Sequence, residues 1–108
     1  MIVRSWRGRA APDRQQAYPA HFRHNVLPAL RGIDGFAGAE LLREERDGMV
    51  VFLVLTRWRD MQAIRAFAGA DASRAVVEPE AVAALVDFDA TVRHYEVVED
   101  MRQNATPG

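Results

Sequence analysis

The chain contains no cysteine in 108 residues. Disulfides, thiolate nucleophiles, zinc–thiolate centres and iron–sulfur clusters are therefore excluded. Lysine is also missing, so all 14 basic residues are arginine. Serine occurs only at Ser5 and Ser73, and neither stands in the sharp strand-to-helix turn of a serine nucleophile. Excess charge of one sign is lacking too: the net charge is -1 and the isoelectric point about 6.3. A nucleic acid or an anionic membrane needs a basic stripe to displace its counterions, so neither is expected as a partner. No apolar run approaches the roughly 20 residues of a membrane helix. The opening residues Met1 to Arg7 carry arginines inside their apolar stretch, unlike a signal peptide. The expected location is the cytoplasm. Gly32, Gly35 and Gly38 lack the strand-then-helix context of a phosphate loop.

What is present is a regular alternation of elements. Ile2, Arg4 and Trp6 alternate with Val3, Ser5 and Arg7, predicting a first strand over 2–8 closed by Gly8. Pro12-Asp13 opens a helix whose buried stripe is Tyr18, Phe22, Val26 and Ala29/Leu30, with a break or kink expected near Pro19 and Pro28. A second strand runs from Phe36 to Glu45, and Asp47-Gly48 is a tight-turn signal because it tolerates positive φ. Met49 to Trp58 is a third strand. Asp60 then caps a helix to Ala68 that buries Met61, Ile64 and Phe67 and ends at Gly69. Short helical pieces begin at Asp71 and at Pro79-Glu80, and the last strand is expected over Thr91–Glu99.

This order, βαββαβ, is the α+β ferredoxin-like arrangement: a four-stranded antiparallel sheet with helices on one face. One domain is expected over 1–99, with a flexible tail over 100–108. In the third strand Val51, Leu53 and Leu55 point one way and Val50, Phe52, Val54 and Trp58 the other, so both faces call for burial. The helices cover one face. A second copy stacked on the other predicts a homodimer through sheet faces.

The segment Leu55-Thr56-Arg57-Trp58-Arg59-Asp60-Met61-Gln62-Ala63-Ile64-Arg65-Ala66-Phe67 resembles the third-strand-to-helix junction of antibiotic-biosynthesis-monooxygenase-like domains, a group of the dimeric α/β-barrel superfamily. Trp-Arg-Gly at 6–8, Phe-Ala-Gly at 67–69, Pro-Glu at 79–80 and His-Tyr-Glu-Val at 94–97 extend the resemblance over residues 2–99 to an uncharacterised branch of that group. It implies a pocket between each sheet and its own helices, and a dimer through the sheets. Members include cofactor-free oxygenases, haem degraders and proteins with no known activity. The haem degraders carry a Trp and an axial His where this chain has Phe67 and Val77, so no haem or other cofactor is expected.

Candidate site residues follow from faces and chemistry. His94 shares a strand face with Val92 and Glu96, where an imidazole needs a partner or a cavity; it is either a pocket base or a structural hydrogen-bonding group. Arg4 shares the face of Ile2 and Trp6. Once buried, it pairs with a carboxylate, of which Glu96 is a plausible one, or stabilises charge on a ligand. Trp6 and Trp58 clamp a planar ligand or pack the core, Thr56 offers a hydroxyl on the face of Trp58, and Phe67 lines the same region. His21 and His24, three apart on the first helix, read as a solvated face because further metal ligands are lacking. Two functions fit these residues: a cofactor-independent monooxygenase acting on a small planar enolisable substrate, or a non-catalytic dimeric binder of a small molecule.

Overall fold

A computed structural model describes residues 1–103. Strand β1 covers Ile2–Ala10 and runs straight through Gly8, which does not end it. Gly8 is instead a place of close approach: an added Cβ would stand 2.7 Å from the Leu85 side chain. A 3-10 turn at Pro12–Arg14 follows, then α1 at Ala17–His21, a π-helical turn at Phe22–Val26 and α2 at Leu27–Arg31. Neither proline breaks this run. The register widens between them, so that the Leu27 N–H bonds the Phe22 carbonyl five residues back, just before Pro28, which has no N–H to offer.

Strand β2 is Phe36–Arg46 and β3 is Met49–Trp58, joined through Asp47 and Gly48 at φ 54° and 77°. Both central residues of this hairpin turn have the positive φ expected of Asp-Gly. Helix α3, Met61–Ala68, starts where Asp60 accepts the Ala63 N–H at 2.9 Å, and ends at Gly69 with φ 93°. No helix forms at Asp71. Residues 73–75 instead lie along 90–92, with an Arg74–Thr91 bridge, an Ala75 N–H to Ala90 bond and a Val92 N–H to Ser73 bond. Helix α4 is Pro79–Ala84, and two short strands close the fold, β4 at Asp87–Phe88 and β5 at Arg93–Glu96. The last strand is thus shorter than expected, because residues 90–92 are drawn to the 73–75 segment. In the tail, 100–103 has no regular structure, though Asp100 stands 3.7 Å from Arg57; residues 104–108 lie outside the described residues.

The sheet is antiparallel in the order β2-β3-β1-β4, with β5 also on β1. It is open within one chain. Register sets the faces: Arg4 opposes Thr56 and His94, Trp6 opposes Val54, and Gly8 opposes Phe52 and Phe88. The helix side buries Val50, Phe52, Val54 and Trp58, with Tyr18 and Phe22 packed over one end and Leu30, Ala63 and Ile64 over the other. On the opposite face Val51 is buried, whereas Leu42 and Tyr95 are 41% and 50% exposed. No helix among the described residues is long and apolar enough to cross a membrane.

Gly35 marks the entry to β2. It sits at φ 87°, its carbonyl accepts the Arg59 N–H at 2.8 Å, and an added Cβ would lie 2.5 Å from the Ala63 Cβ. Gly35→Ala is expected to lower stability by about 1–3 kcal/mol, seen as a lower urea midpoint. Gly32→Ala, where a Cβ meets open space, should change it by less than about 0.5 kcal/mol.

Candidate active site

A cavity of about 90 Å³ lies between the helix face of the sheet and the layer above it. Its floor is Arg4 and Trp6 from β1 with Val54 and Thr56 from β3; its roof includes Tyr18, His21 and Leu30; Phe67, Val77 and Glu78 form part of its sides. At about 10–15 Å³ per water, it has room for roughly six to nine water-sized groups.

Arg4 is the dominant charge. It is 6% exposed, and burial pushes its pKa below the ordinary arginine value, though a guanidinium stays cationic. Glu96 does not pair with it: Glu96 lies opposite Ile2 in the register, and no carboxylate among the described residues forms an ion pair with Arg4. Its partners are the Ala72 carbonyl at 2.6 Å, the Arg74 carbonyl at 2.9 Å and His94 Nε2 at 2.9 Å. The guanidinium carbon also stands 5.9 Å from the centre of the Phe67 ring. These bonds engage three of five N–H donors, which leaves the Nε–H and one Nη2–H without a partner among the described residues.

This arrangement fixes the state of His94. A guanidinium only donates, so Nε2 must be the accepting nitrogen and the ring is neutral. Burial lowers the His94 pKa first, with the charges of Arg4 and Arg65 adding to the effect. The side chain is absent from the cavity wall; it lies behind Arg4 and positions it. Trp58 is also absent from the wall. It is fully buried, stacked on Phe67 at 5.2 Å and edge-on to Phe36 at 5.4 Å. Its indole N–H donates to the Thr56 hydroxyl oxygen at 2.9 Å, which leaves the hydroxyl proton of Thr56 for another acceptor. Trp6 does line the cavity, held by a 2.7 Å bond from its N–H to the Asp89 carbonyl and by rings of Tyr18 and Phe88. The structure thus brings Arg4, Trp6, Thr56 and Phe67 together at the cavity and sets Trp58 and His94 outside it.

The opposite end holds what the sequence reading missed. His21 is 6% exposed, not solvated. The Asn25 side chain contacts its Nδ1 at 3.0 Å, and Nε2 stands 3.3 Å from a Glu78 carboxylate oxygen. That second contact is close but not aligned as a hydrogen bond, and Nε2 has no other partner. Tyr18 lies beside the pair, its phenol pushed well above the ordinary range by burial and then by the Glu78 charge, so it stays protonated. The signal available in the sequence was the spacing of His21 from Tyr18, three residues along a buried stripe.

With this geometry described, comparison with known proteins places the chain. Residues 1–79 match the family described as antibiotic biosynthesis monooxygenase. The chain belongs to that family. No curated protein matches it significantly. Among solved structures, a Bacillus cereus protein assigned as an antibiotic biosynthesis monooxygenase superposes with TM-score 0.69 at 14% identity, over 97% of this chain and 98% of that one. MhuD, a haem degrader of Mycobacterium tuberculosis with two haems bound in its active site, gives 0.65 at 21% identity, over 94% and 100%. The monooxygenase from the ActVA-Orf6 gene of Streptomyces coelicolor, in complex with nanaomycin D, gives 0.54 at 18% identity, over 99% and 92%. At these identities the likeness shows the fold alone. Family membership does not bring haem with it, because the residues present do not fit the group. Val77, where the resemblance puts the axial His of the haem degraders, is an apolar cavity wall with no donor for iron.

The lowered pKa of His94 makes a directional prediction. The unfolded imidazole takes a proton near 6.5 while the folded one resists it, so the contribution of His94 is fully present above about pH 6.5 and is lost as pH falls through the folded value. Melting temperature should fall from pH 7.5 to pH 5, and the fall should be shallower in His94→Gln, which can still accept from Arg4.

Proposed function

We propose that this family member is a small-molecule pocket protein that binds a small planar anion or a substrate developing an oxyanion. The observation that carries this reading is Arg4: a buried cation with no carboxylate partner and two unengaged donors among the described residues, set in the wall of an apolar cavity. Burying a charge is costly unless something compensates it, and carbonyl oxygens do so only in part. A ligand carboxylate, enolate or phenolate would complete the pairing. Thr56 would donate a second hydrogen bond, while Trp6 and Phe67 would present flat apolar surfaces to a ring. In the catalytic form of this reading the chain is a cofactor-independent monooxygenase: Arg4 stabilises the enolate or phenolate that reacts with oxygen, and His94 acts on the reaction by holding Arg4 in place. The nanaomycin D complex of the Streptomyces relative is in keeping with such a ligand class.

A second reading, binding without turnover, is favoured by the state of His94. His94 Nε2 accepts from Arg4 and the ring lies outside the cavity wall, so the imidazole expected as a pocket base does not offer its lone pair to a substrate. Quenching of tryptophan fluorescence by benzoate- and naphthoate-type acids tests what the two readings share. Arg4→Gln should weaken these acids by about 1.5–3 kcal/mol, the worth of a charge-assisted hydrogen bond, beyond any effect on their neutral amides, which register the change in cavity shape alone. Equal binding of acid and amide to the wild type would refute the anion reading. Oxygen uptake on adding a quinol then separates the catalytic reading from the non-catalytic one.

The protein is proposed to act as a homodimer through the face of the sheet that its own helices leave uncovered, completing the two-sheet barrel of its superfamily. The support is the apolar patch of Val51, Leu53 and Leu55 on β3 with Leu42 of β2, Val3 of β1 and Tyr95 of β5 on the same face, rimmed by Arg7, Arg9, Glu40 and Glu44. Sedimentation should show a species of about twice the 12.1 kDa chain, and Leu53→Glu should dissociate it. A wild-type monomer that stays folded on dilution would refute the interface.

A further inference from the structure

At the mouth of the cavity, away from Arg4, three metal-type ligands converge. His21 ends α1, and Glu78 and Glu80 flank Pro79 at the start of α4. One donor atom from each of the three lies within 4.8 Å of the other two. The carboxylates alone would be ordinary acidic surface, since Glu78 is 41% exposed. The imidazole is not ordinary. Its Nε2 is covered, points at the carboxylates and has no hydrogen-bond partner among the described residues. Buried polar atoms are nearly always satisfied, so this nitrogen calls for a better-aligned partner than the Glu78 oxygen, which a bound ion would supply.

We propose that His21, Glu78 and Glu80 bind one divalent transition-metal ion. The donor set is one imidazole nitrogen and two carboxylates with no sulfur, which suits Zn²⁺, Co²⁺ or Mn²⁺ better than Ca²⁺ or Mg²⁺, whose preferred donors are all oxygen. Spacing agrees. Ligands about 2.1 Å from a tetrahedral ion stand about 3.4 Å apart, and His21 Nε2 lies 3.3 Å from the Glu78 oxygen. That separation suits a shared ion better than the unaligned direct contact seen without one. The Asn25 amide at Nδ1 supplies the outer support usual for a metal-bound imidazole. In this structure the amide nitrogen faces Nδ1; ion binding requires the amide to turn its oxygen to the ring, which holds the proton on Nδ1 and leaves the Nε2 lone pair for the ion. Two carboxylates balance the charge of the ion, and three protein ligands leave at least one position for water. The site would tie α4 to the first helix across the mouth of the cavity. This inference does not depend on what the Arg4 end binds.

Titration of the tag-free, chelator-treated full chain with Co²⁺ tests it. The expected result is one ion per chain with visible ligand-field bands, displacement of Co²⁺ by Zn²⁺, and a higher melting temperature when loaded. Glu80 lies outside the cavity wall. Glu80→Gln should therefore weaken Co²⁺ binding by at least about tenfold while leaving the metal-free melting temperature unchanged. His21→Ala should abolish binding, and His24→Ala, on the exposed side of the helix, should leave it intact. Failure of the wild type to bind Co²⁺ stoichiometrically, or equal affinity in wild type and Glu80→Gln, would overturn the proposal.

Discussion

Everything around the cavity is arranged by the burial of one guanidinium in the central strand of the sheet. Arg4 is held by the carbonyls of Ala72 and Arg74 and by His94, so it ties β1 to the 70–78 segment and to β5 at once. The same segment is pinned to residues 90–92 by backbone bonds, which is why the chain after α3 crosses the sheet as an extended strap and not as a helix. Val76, Val77 and Glu78, which complete the cavity wall, follow directly from the residues Arg4 holds. A neutral replacement at position 4 would thus alter charge and architecture together.

The second organising feature is the widened turn of the first helix. An α-helical ladder would need an N–H at Pro28, and the π turn at Phe22–Val26 carries the register past it. Such a turn changes the azimuth of everything on one side relative to the other. Tyr18, His21 and Phe22 face inward before it and Leu30 faces inward after it, so the run covers the two core clusters, one at each end. π turns inside helices are frequent at functional sites, and this one immediately follows His21.

The cavity is polarised as a result. One end carries a buried cation with hydrogen-bond donors to spare, the other an imidazole beside carboxylates, and Trp6, Val54 and Phe67 lie between them. Burial strengthens the electrostatics at the Arg4 end, whereas Glu78 at the other end is partly screened by water. This division is compatible with the wide range of chemistry the fold supports, since residues at the two ends can change without disturbing the sheet.

Alternation and turn chemistry determined the first three strands but neither β4 nor the bounds of β5. Asp47-Gly48 set the hairpin, and period-two patterning assigned Ile2, Arg4 and Trp6 to one face and Val50, Phe52, Val54 and Trp58 to the same side of the neighbouring strand. Asp60 and Gly69 bounded α3 for equally local reasons. These features were legible because each depends on neighbours within a few residues. The site was legible only in part: the face of Arg4, Trp6 and Thr56 could be read, but not whether each touched the cavity. Trp58 and Thr56 share a face, yet the indole turns to the hydroxyl and into the Phe36–Phe67 stack, so that only Thr56 reaches the open space. His94 and Arg4 share a face as well, and their contact across the register makes one the support of the other. The burial of His21 depended on a hydrogen-bond shift at Pro28 and on where the chain after α3 brings Glu78, some 57 positions later in sequence. Partners that far apart leave no local periodicity to read, so only the tertiary structure decides which polar side chains meet.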